Sequence, residues 1–461
     1  MKIDYLCIGN GVASNSAVDK IREKDKKSSI LIIGDEDFDF YYRPQLPDYL
    51  LDRVNDDKIV PVSEEDYKNK NVQVMKSRRV VAIDPDSRKV RLDDGNEVEY
   101  KKLLIATGLS PFKSPMGFQN LGEVKKLKEI ISRISEIVIA GEYIFLLELV
   151  RALITLNKKI IFLCKGKRLL EDLLDERASW HLEQLLISSG VNLLYHTEIN
   201  KVDVNPEGKY LIHTRHSGQS SERKDIISCD LYFLAEYEEK NKEMFINAGL
   251  EYAEAGIWID RFMRTNKKDV FSAGDVARVR NGYPPNILRV GWQRAKLQGE
   301  IAGENMAGGN VEFNPFSTAI HIRFGRINFL FAGELPPTLQ GCAEDIVLES
   351  LPDNYYKRVH IQEGVVKGFV FVGGTRGLAR VKELLADGSR LSGSEKFVLQ
   401  KELVEGYGDT ISLQMACPVC KTILDLPIIV EVGEKVICEV CGAESVVSRT
   451  RVSMVKYLEL R

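Results

Sequence analysis

Ile3-Asp4-Tyr5-Leu6-Cys7-Ile8-Gly9-Asn10-Gly11-Val12-Ala13-Ser14 begins the stretch whose reading decides the fold, and the stretch ends at Ile30-Leu31-Ile32-Ile33-Gly34-Asp35-Glu36. Ile3–Ile8 predicts a short apolar strand. The glycine turn follows, then a helical pattern to about Glu23, a second apolar strand over Ile30–Ile33, and an acidic pair. Strand, glycine turn, helix, strand and acid, in that order, form a dinucleotide-binding fingerprint. Gly9 permits the tight turn. Gly11 lets the backbone approach a pyrophosphate, whose charge then rests on the helix N-terminus. Asn10, Val12 and Ala13 complete the candidate cradle, and Ser14 stands where Gly or Ala is usual for close helix–strand packing. Asp35, with Glu36 beside it, follows at about the ~20-residue interval expected of an acid that accepts ribose hydroxyls. A βα turn in an ordinary α/β domain would share part of this pattern, so the rest of the chain has to decide.

The chain has 461 residues, enough for roughly three domains, and its hydrophobic fraction of 44% is that of a globular protein. Lys and Arg number 64 against 67 acids, a balance that points neither to nucleic acid nor to an anionic membrane surface. The longest apolar candidate, Ile137–Ile154, is interrupted by Glu142, Glu148 and Arg151, so no membrane span is expected. The N-terminus enters a strand at once, which leaves no room for a signal peptide. Of 8 cysteines, Cys7, Cys164, Cys229 and Cys342 are scattered and the other four form two CxxC pairs. That usage suits a reducing compartment, and the expected location is the cytoplasm.

Beyond the second strand, Asp39-Phe40-Tyr41-Tyr42-Arg43-Pro44-Gln45-Leu46-Pro47 predicts a defined loop. Its Arg43 could pair with a phosphate or with the acids before it. Val72–Val98 alternates as strands around Asp84-Pro85-Asp86 and Asp93-Asp94-Gly95, and reads as a small antiparallel insertion. Leu103-Leu104-Ile105 then runs into Ala106-Thr107-Gly108, small residues that let a backbone pass close to a flat ligand.

Five stretches together resemble the flavoproteins of the pyridine nucleotide–disulfide oxidoreductase superfamily, in the branch of rubredoxin, ferredoxin and nitrite reductases. They are Gly9–Ser14, Tyr41–Leu46, Leu103–Gly108, Val270–Asp275 and Trp292–Gly299. The resemblance implies FAD, held by Gly9 to Ser14 at the pyrophosphate and by Asp35 and Glu36 at the ribose. It places Arg43, Pro44, Ala106, Thr107 and Gly108 near the cofactor and Gly274-Asp275 at its ribityl or pyrophosphate region. It aims the helix opened by Trp292 at a flavin carbonyl and sets Val80 against the adenine.

A second unit of the same kind is expected over Ile137–Ala140, Leu146–Leu156 and Ile160–Leu163. Where the family has a second glycine loop for NADH or NADPH, this chain has Ala140-Gly141-Glu142-Tyr143-Ile144-Phe145. A carboxylate at Glu142 would occupy the helix N-terminus and repel a pyrophosphate, and Phe145 cannot pack as glycine does. No acid follows the next strand, which ends in Cys164-Lys165-Gly166-Lys167. Nicotinamide use is therefore doubtful. The other reading is a remodelled site with Lys165 and Lys167 on phosphate. Leu170–Ser189 reads as a helix, with His181 on its exposed face.

The expected architecture is α/β: two Rossmann-like domains, a small α+β domain and a zinc ribbon. The FAD domain takes residues 1–113 and 245–310, the second nucleotide-binding-like domain 114–244, the small reductase-type domain 311–407, and the ribbon 408–461. In the ribbon, Cys417-Pro418-Val419-Cys420 and Cys438-Glu439-Val440-Cys441 offer four thiolates to one tetrahedral metal. Zinc is preferred. Iron is disfavoured because Lys421 stands where a rubredoxin knuckle has glycine, and no aromatic residue lies between the knuckles. The segment resembles the zinc-ribbon carrier proteins of amino-acid biosynthesis.

Tyr41–Leu51 lacks the cysteine that disulfide reductases of this superfamily keep by the flavin, so disulfide reduction is disfavoured, and no acid–base residue is singled out. The resulting expectation is an FAD-dependent oxidoreductase exchanging electrons with a ferredoxin- or rubredoxin-like carrier or a neighbouring subunit of a larger redox complex. An NAD(P)H-dependent rubredoxin/ferredoxin-type reductase is the first alternative. A flavoprotein-derived structural subunit that docks through its ribbon is the second.

Overall fold

A computed structural model describes residues 1–110, 112–141, 143–216, 225–236, 241–253, 256–280, 290–324, 327–342, 344–350, 355–404, 412–419, 423–427, 435–438, 441–449 and 456–460. Glu142 and Cys420 lie outside them. The first sheet contains β1 (Lys2–Ile8), β2 (Ile30–Ile33), β3 (Val72–Met75), β4 (Val80–Asp84), β5 (Lys89–Leu92) and β6 (Glu97–Ile105), in the order β3-β2-β1-β6-β5-β4. β3, β2, β1 and β6 run parallel. The upper half of β6 also takes Val270–Ser272 as a parallel neighbour. Only part of Val72–Val98 is thus an antiparallel insertion. Val72–Met75 extends the parallel sheet, since its apolar side chains continue the layer begun by Ile30–Ile33. The apolar runs of β1, β2 and the end of β6 are almost wholly buried, as parallel strands covered on both faces must be.

Helix α1 (Val12–Lys24) crosses from β1 to β2. The second unit is a four-stranded parallel sheet of β7 (Glu136–Gly141), β8 (Lys159–Leu163), β9 (Val191–Leu194) and β10 (Leu231–Ala235), ordered β10-β7-β8-β9. Helix α2 (Leu146–Thr155) links β7 to β8, and α3 (Glu176–Ser188) precedes β9. α3 starts later than its apolar pattern suggests. Leu170 takes a left-handed φ of 52°, and the Asp175 carboxylate caps the helix by accepting from Ala178 N at 2.8 Å.

Helix α4 (Trp292–Met306) packs on α1 with backbones nearly touching. A Cβ on Gly299 would fall 2.2 Å from Ala13 O, and one on Gly303 2.2 Å from Ala17 O. A third, antiparallel sheet holds β11 (Ile320–Phe324), β12 (Ile327–Gly333), β13 (Ile346–Ser350), β14 (Tyr355–Gln362) and β15 (Val365–Gly373), ordered β11-β12-β15-β14-β13. α5 (Leu378–Asp387) and α6 (Gly393–Leu403) follow it.

A buried ion network ties this sheet to the second unit. Arg358 bonds Asp175 at 3.0 Å and Asp345 at 2.7 Å, and His360 bonds Asp345 at 2.8 Å. Asp345, His360 and Cys342 sit close enough to suggest a metal site, but the Asp345 carboxylate already neutralises the fully buried Arg358. His181, expected on an exposed face, is buried instead. It stacks on Tyr356 and contacts Glu349 at 3.1 Å, because α3 packs against β13 and β14. No helix among the described residues is long and apolar enough to cross a membrane.

Candidate functional site

A cavity of about 680 Å³ opens at the carboxyl ends of the first parallel sheet, where open α/β sheets bind ligands. Gly9 ends β1 with φ +101°, and a Cβ there would meet Ala106 O at 2.3 Å. Only glycine lets the turn after β1 pass so close to the chain leaving β6. Gly11 is the N-cap of α1, and a Cβ on it would meet nothing within 4 Å, so its open side faces the cavity with Val12 and Ala13. A pyrophosphate placed here would rest on backbone N–H groups at the positive end of α1.

The cavity also gathers Asn10, Asp35, Glu36, Arg43, Pro44, Ala106, Thr107, Gly108, Gly274, Asp275 and Trp292, the remaining expected cofactor residues apart from Ser14 and Val80. Ser14 is fully buried behind the cradle. Val80 does not line the cavity; its apolar side chain is buried in the core cluster that holds Ile3, Leu6 and Leu103. Asn10 Nδ2, Ser14 Oγ and Thr107 Oγ1 are buried with no hydrogen-bond partner among the described residues. Two of these three belong to residues lining the cavity, as a site shaped for a polar ligand requires. The residues present fit FAD.

Arg43 turns to the acids rather than to open space. It bonds Glu36 at 2.5 Å and Gln119 O at 2.6 Å, while Tyr41 donates to Glu36 at 2.7 Å. Asp35 is left exposed at the cavity. Asp275 accepts from Gly291 N at 3.0 Å, which fixes the entry of α4, and Trp292 stacks on Phe40 at 5.8 Å. Cys7, sealed inside β1, is pushed up to about 12 by burial and is an inert core thiol.

Several lining residues escaped the sequence reading. Asp48, Glu148 and Arg151 form a charged cluster in the wall, with Arg151 2.9 Å from Glu148 and 3.7 Å from Asp48. Burial raises the Glu148 carboxyl, against the pull of Arg151. The signal was there, since Glu148 and Arg151 interrupt an otherwise apolar helix. His321 also lines the cavity, and burial pushes its imidazole down to about 4, so it is neutral near pH 7. Val419 and Cys441 of the tail form part of the same wall.

The second unit repeats the crossing without the open loop. Gly141 has φ +121°, and a Cβ on it would fall 1.8 Å from Ala235 O. Tyr143 and Phe145 then reach into the flavin cavity. The first N–H groups of α2 bond backward, Leu146 to Tyr143 O at 2.9 Å and Leu147 to Ile144 O at 3.1 Å. Lys165 and Lys167 are exposed just past the carboxyl end of β8.

The model of one family, described as pyridine nucleotide-disulphide oxidoreductase, matches residues 3–297. The nitric oxide reductase FlRd-NAD(+) reductase of Vibrio vulnificus (strain YJ016) is 25% identical over 314 residues, which are 66% of this chain and 80% of that protein. The solved covalent putidaredoxin reductase–putidaredoxin complex matches with a TM-score of 0.74 at 20% identity, over 87% of this chain and 97% of that one. NADH:rubredoxin oxidoreductase from Clostridium acetobutylicum matches with a TM-score of 0.64 at 20% identity, over 86% of this chain and 99% of that one. The two structures speak for the fold. Since the family match spans well over half the residues and includes every part of the cradle, the chain belongs to the pyridine nucleotide-disulphide oxidoreductase family and is an FAD-dependent oxidoreductase.

Proposed function

We propose that the protein takes electrons from NAD(P)H and delivers them through FAD to a small ferredoxin- or rubredoxin-like protein. The observation that carries this reading is the shared cavity, lined by the FAD cradle of the first unit and by Tyr143, Phe145 and Glu148 of the second. A nucleotide seated on the second unit would reach the flavin inside one enclosure. Relatives named as an NAD(+) reductase and as an NADH:rubredoxin oxidoreductase support a nicotinamide donor and this class of acceptor. They count against the expectation that nicotinamide use is doubtful.

FAD, when bound, supplies the exchange between hydride and single-electron chemistry. The protein's part is to hold and orient. Gly9 to Ala13 would seat the pyrophosphate, Asp35 the ribose, and Asp275 the ribityl chain, with Trp292 at the head of α4 facing the ring. On the second unit, Lys165 and Lys167 stand where an acid would accept the 2′-hydroxyl of NADH, so they favour the 2′-phosphate of NADPH. In the tail, Cys417, Cys420, Cys438 and Cys441 are proposed to bind zinc. Three of them, Cys417, Cys438 and Cys441, have sulfurs within 4.8 Å of one another.

A second reading, in which a protein or neighbouring subunit donates the electrons, is favoured by one observation: the α2 N-terminus is closed by its own backbone bonds and by Phe145.

The test is to supply the purified protein with NADPH and an oxidised rubredoxin or ferredoxin without oxygen. Bleaching of the carrier that requires both enzyme and NADPH is expected. A protein that purifies without flavin colour and binds no added FAD would sink the enzyme reading, and iron rather than zinc by elemental analysis would sink the metal assignment.

A further inference from the structure

The thiol cluster of the tail is built into the wall of the flavin cavity. Cys417 Sγ and Cys441 Sγ lie 3.5 Å apart, and Cys438 joins them within 4.8 Å. Thiolates around one tetrahedral zinc, at Zn–S of about 2.3 Å, stand roughly 3.8 Å from one another. A disulfide would bring the sulfurs to about 2.05 Å. The observed spacing suits ligands of a shared ion.

Two residues of these knuckles, Val419 and Cys441, line the cavity that also contains Arg43 and Trp292. A hydrogen bond joins the first knuckle to the loop after Arg43 and Pro44, from Gln45 Nε2 to Pro418 O at 3.2 Å. Gln45 is buried and follows Arg43 and Pro44 directly. On the other side, Cys417, Val419 and Cys438 share an apolar cluster with Leu330, Phe369 and Leu378. Cys417 to Val419, with Cys438 and Cys441, are therefore held between the cofactor loop and the third sheet. A segment this short cannot bury enough surface to fold alone, and a bound ion would supply its folding energy. Whatever orders the knuckles also completes the wall. Two ligands that favour the same ordered state reinforce each other reciprocally.

We propose that the tail's thiolate site is a structural wall of the flavin cavity, so that metal occupancy raises FAD affinity and bound FAD raises metal affinity. This rests on the reading of the cavity as an FAD site and of the cysteines as a metal site. The experiment uses the full chain. FAD affinity is titrated by flavin fluorescence on protein as purified, after removal of the ion by a chelator under reducing conditions, and after zinc is restored. Elemental analysis and circular dichroism accompany each state.

Removal of the ion is expected to weaken FAD binding about tenfold, within ordinary inter-site coupling, and zinc should restore it. Gln45→Ala, which leaves the cysteines and the cavity lining in place, is expected to weaken FAD several-fold with metal content unchanged. Unchanged FAD affinity in both the metal-depleted protein and the Gln45→Ala variant would overturn the coupling and leave the metal and flavin readings standing. A purified protein that takes up no metal at all would overturn both the metal reading and the coupling.

Discussion

Gly9 and Gly141 hold the same place in two units of one design. Each ends a parallel strand with positive φ, and each would drive a Cβ into the backbone of the neighbouring strand, at Ala106 or at Ala235. The chain then does different things. After Gly9, Gly11 leaves open space and α1 begins at Val12. After Gly141, Tyr143 and Phe145 turn into the flavin cavity and α2 begins only at Leu146. The glycine that ends the strand is thus a demand of the backbone crossing, and it persists whatever the ligand. The residues after it decide whether a phosphate can sit on the helix. In the first unit they admit one. In the second, the proposed function leaves nicotinamide recognition to the cavity and to the lysines past β8.

The largest effects should come from breaking the crossings themselves. Gly9→Ala and Gly141→Ala should each destabilise the protein by about 3 kcal/mol or more, through strain and backbone clash, as read by thermal unfolding. They should differ in flavin content, with Gly9→Ala purifying without FAD and Gly141→Ala retaining it. Loss of flavin from both would show that the two units cannot be separated in this way. Next in size is the exchange of Lys165 and Lys167 for Glu together. Each charge-assisted phosphate contact is worth about 1.5–3 kcal/mol, so kcat/KM for NADPH should fall at least about tenfold while that for NADH changes less. Phe145→Gly should make the second loop more like the first and raise kcat/KM for NADPH several-fold, with some loss of thermal stability.

The smallest effect is one of pH. Burial outweighs Glu349 and holds the His181 imidazole below its usual range. Between its folded value and about 6.5 the unfolded chain binds more protons. Its share of stability is present above about pH 6.5 and lost as pH falls below it. His181→Phe should flatten the acid limb of the stability profile, measured by unfolding at a series of pH values.

The first unit was legible because its signature is made of local steric demands, a glycine at a crossing, an open glycine at a cap and an acid after the next strand. The pairing of Arg43 with Glu36 was among the readings open from sequence, and the structure selects it. Val80 does not line the cavity; its side chain packs in the core, a placement that no local pattern of the sequence announces. Glu148 and Arg151 stood out as charges in an apolar helix. Their partner Asp48 lies on the short helix Leu46–Leu50, far away in the sequence, and no periodicity connects it to them. The tail shows the same limit more strongly. The spacing of its cysteines predicts a metal site, but nothing local places them against the cavity. The bond that does so joins Gln45 to Pro418, 373 residues apart.

The division of labour between the two units is tested most directly by mixing the oxidised, FAD-loaded protein with NADPH and with NADH in a stopped-flow spectrophotometer without oxygen. The account predicts rapid bleaching of the flavin by NADPH, slower bleaching by NADH, and loss of that difference when Lys165 and Lys167 are exchanged for Glu. A flavin that stays oxidised with both nucleotides, in protein fully loaded with FAD, would contradict it and give the second unit a purely structural role.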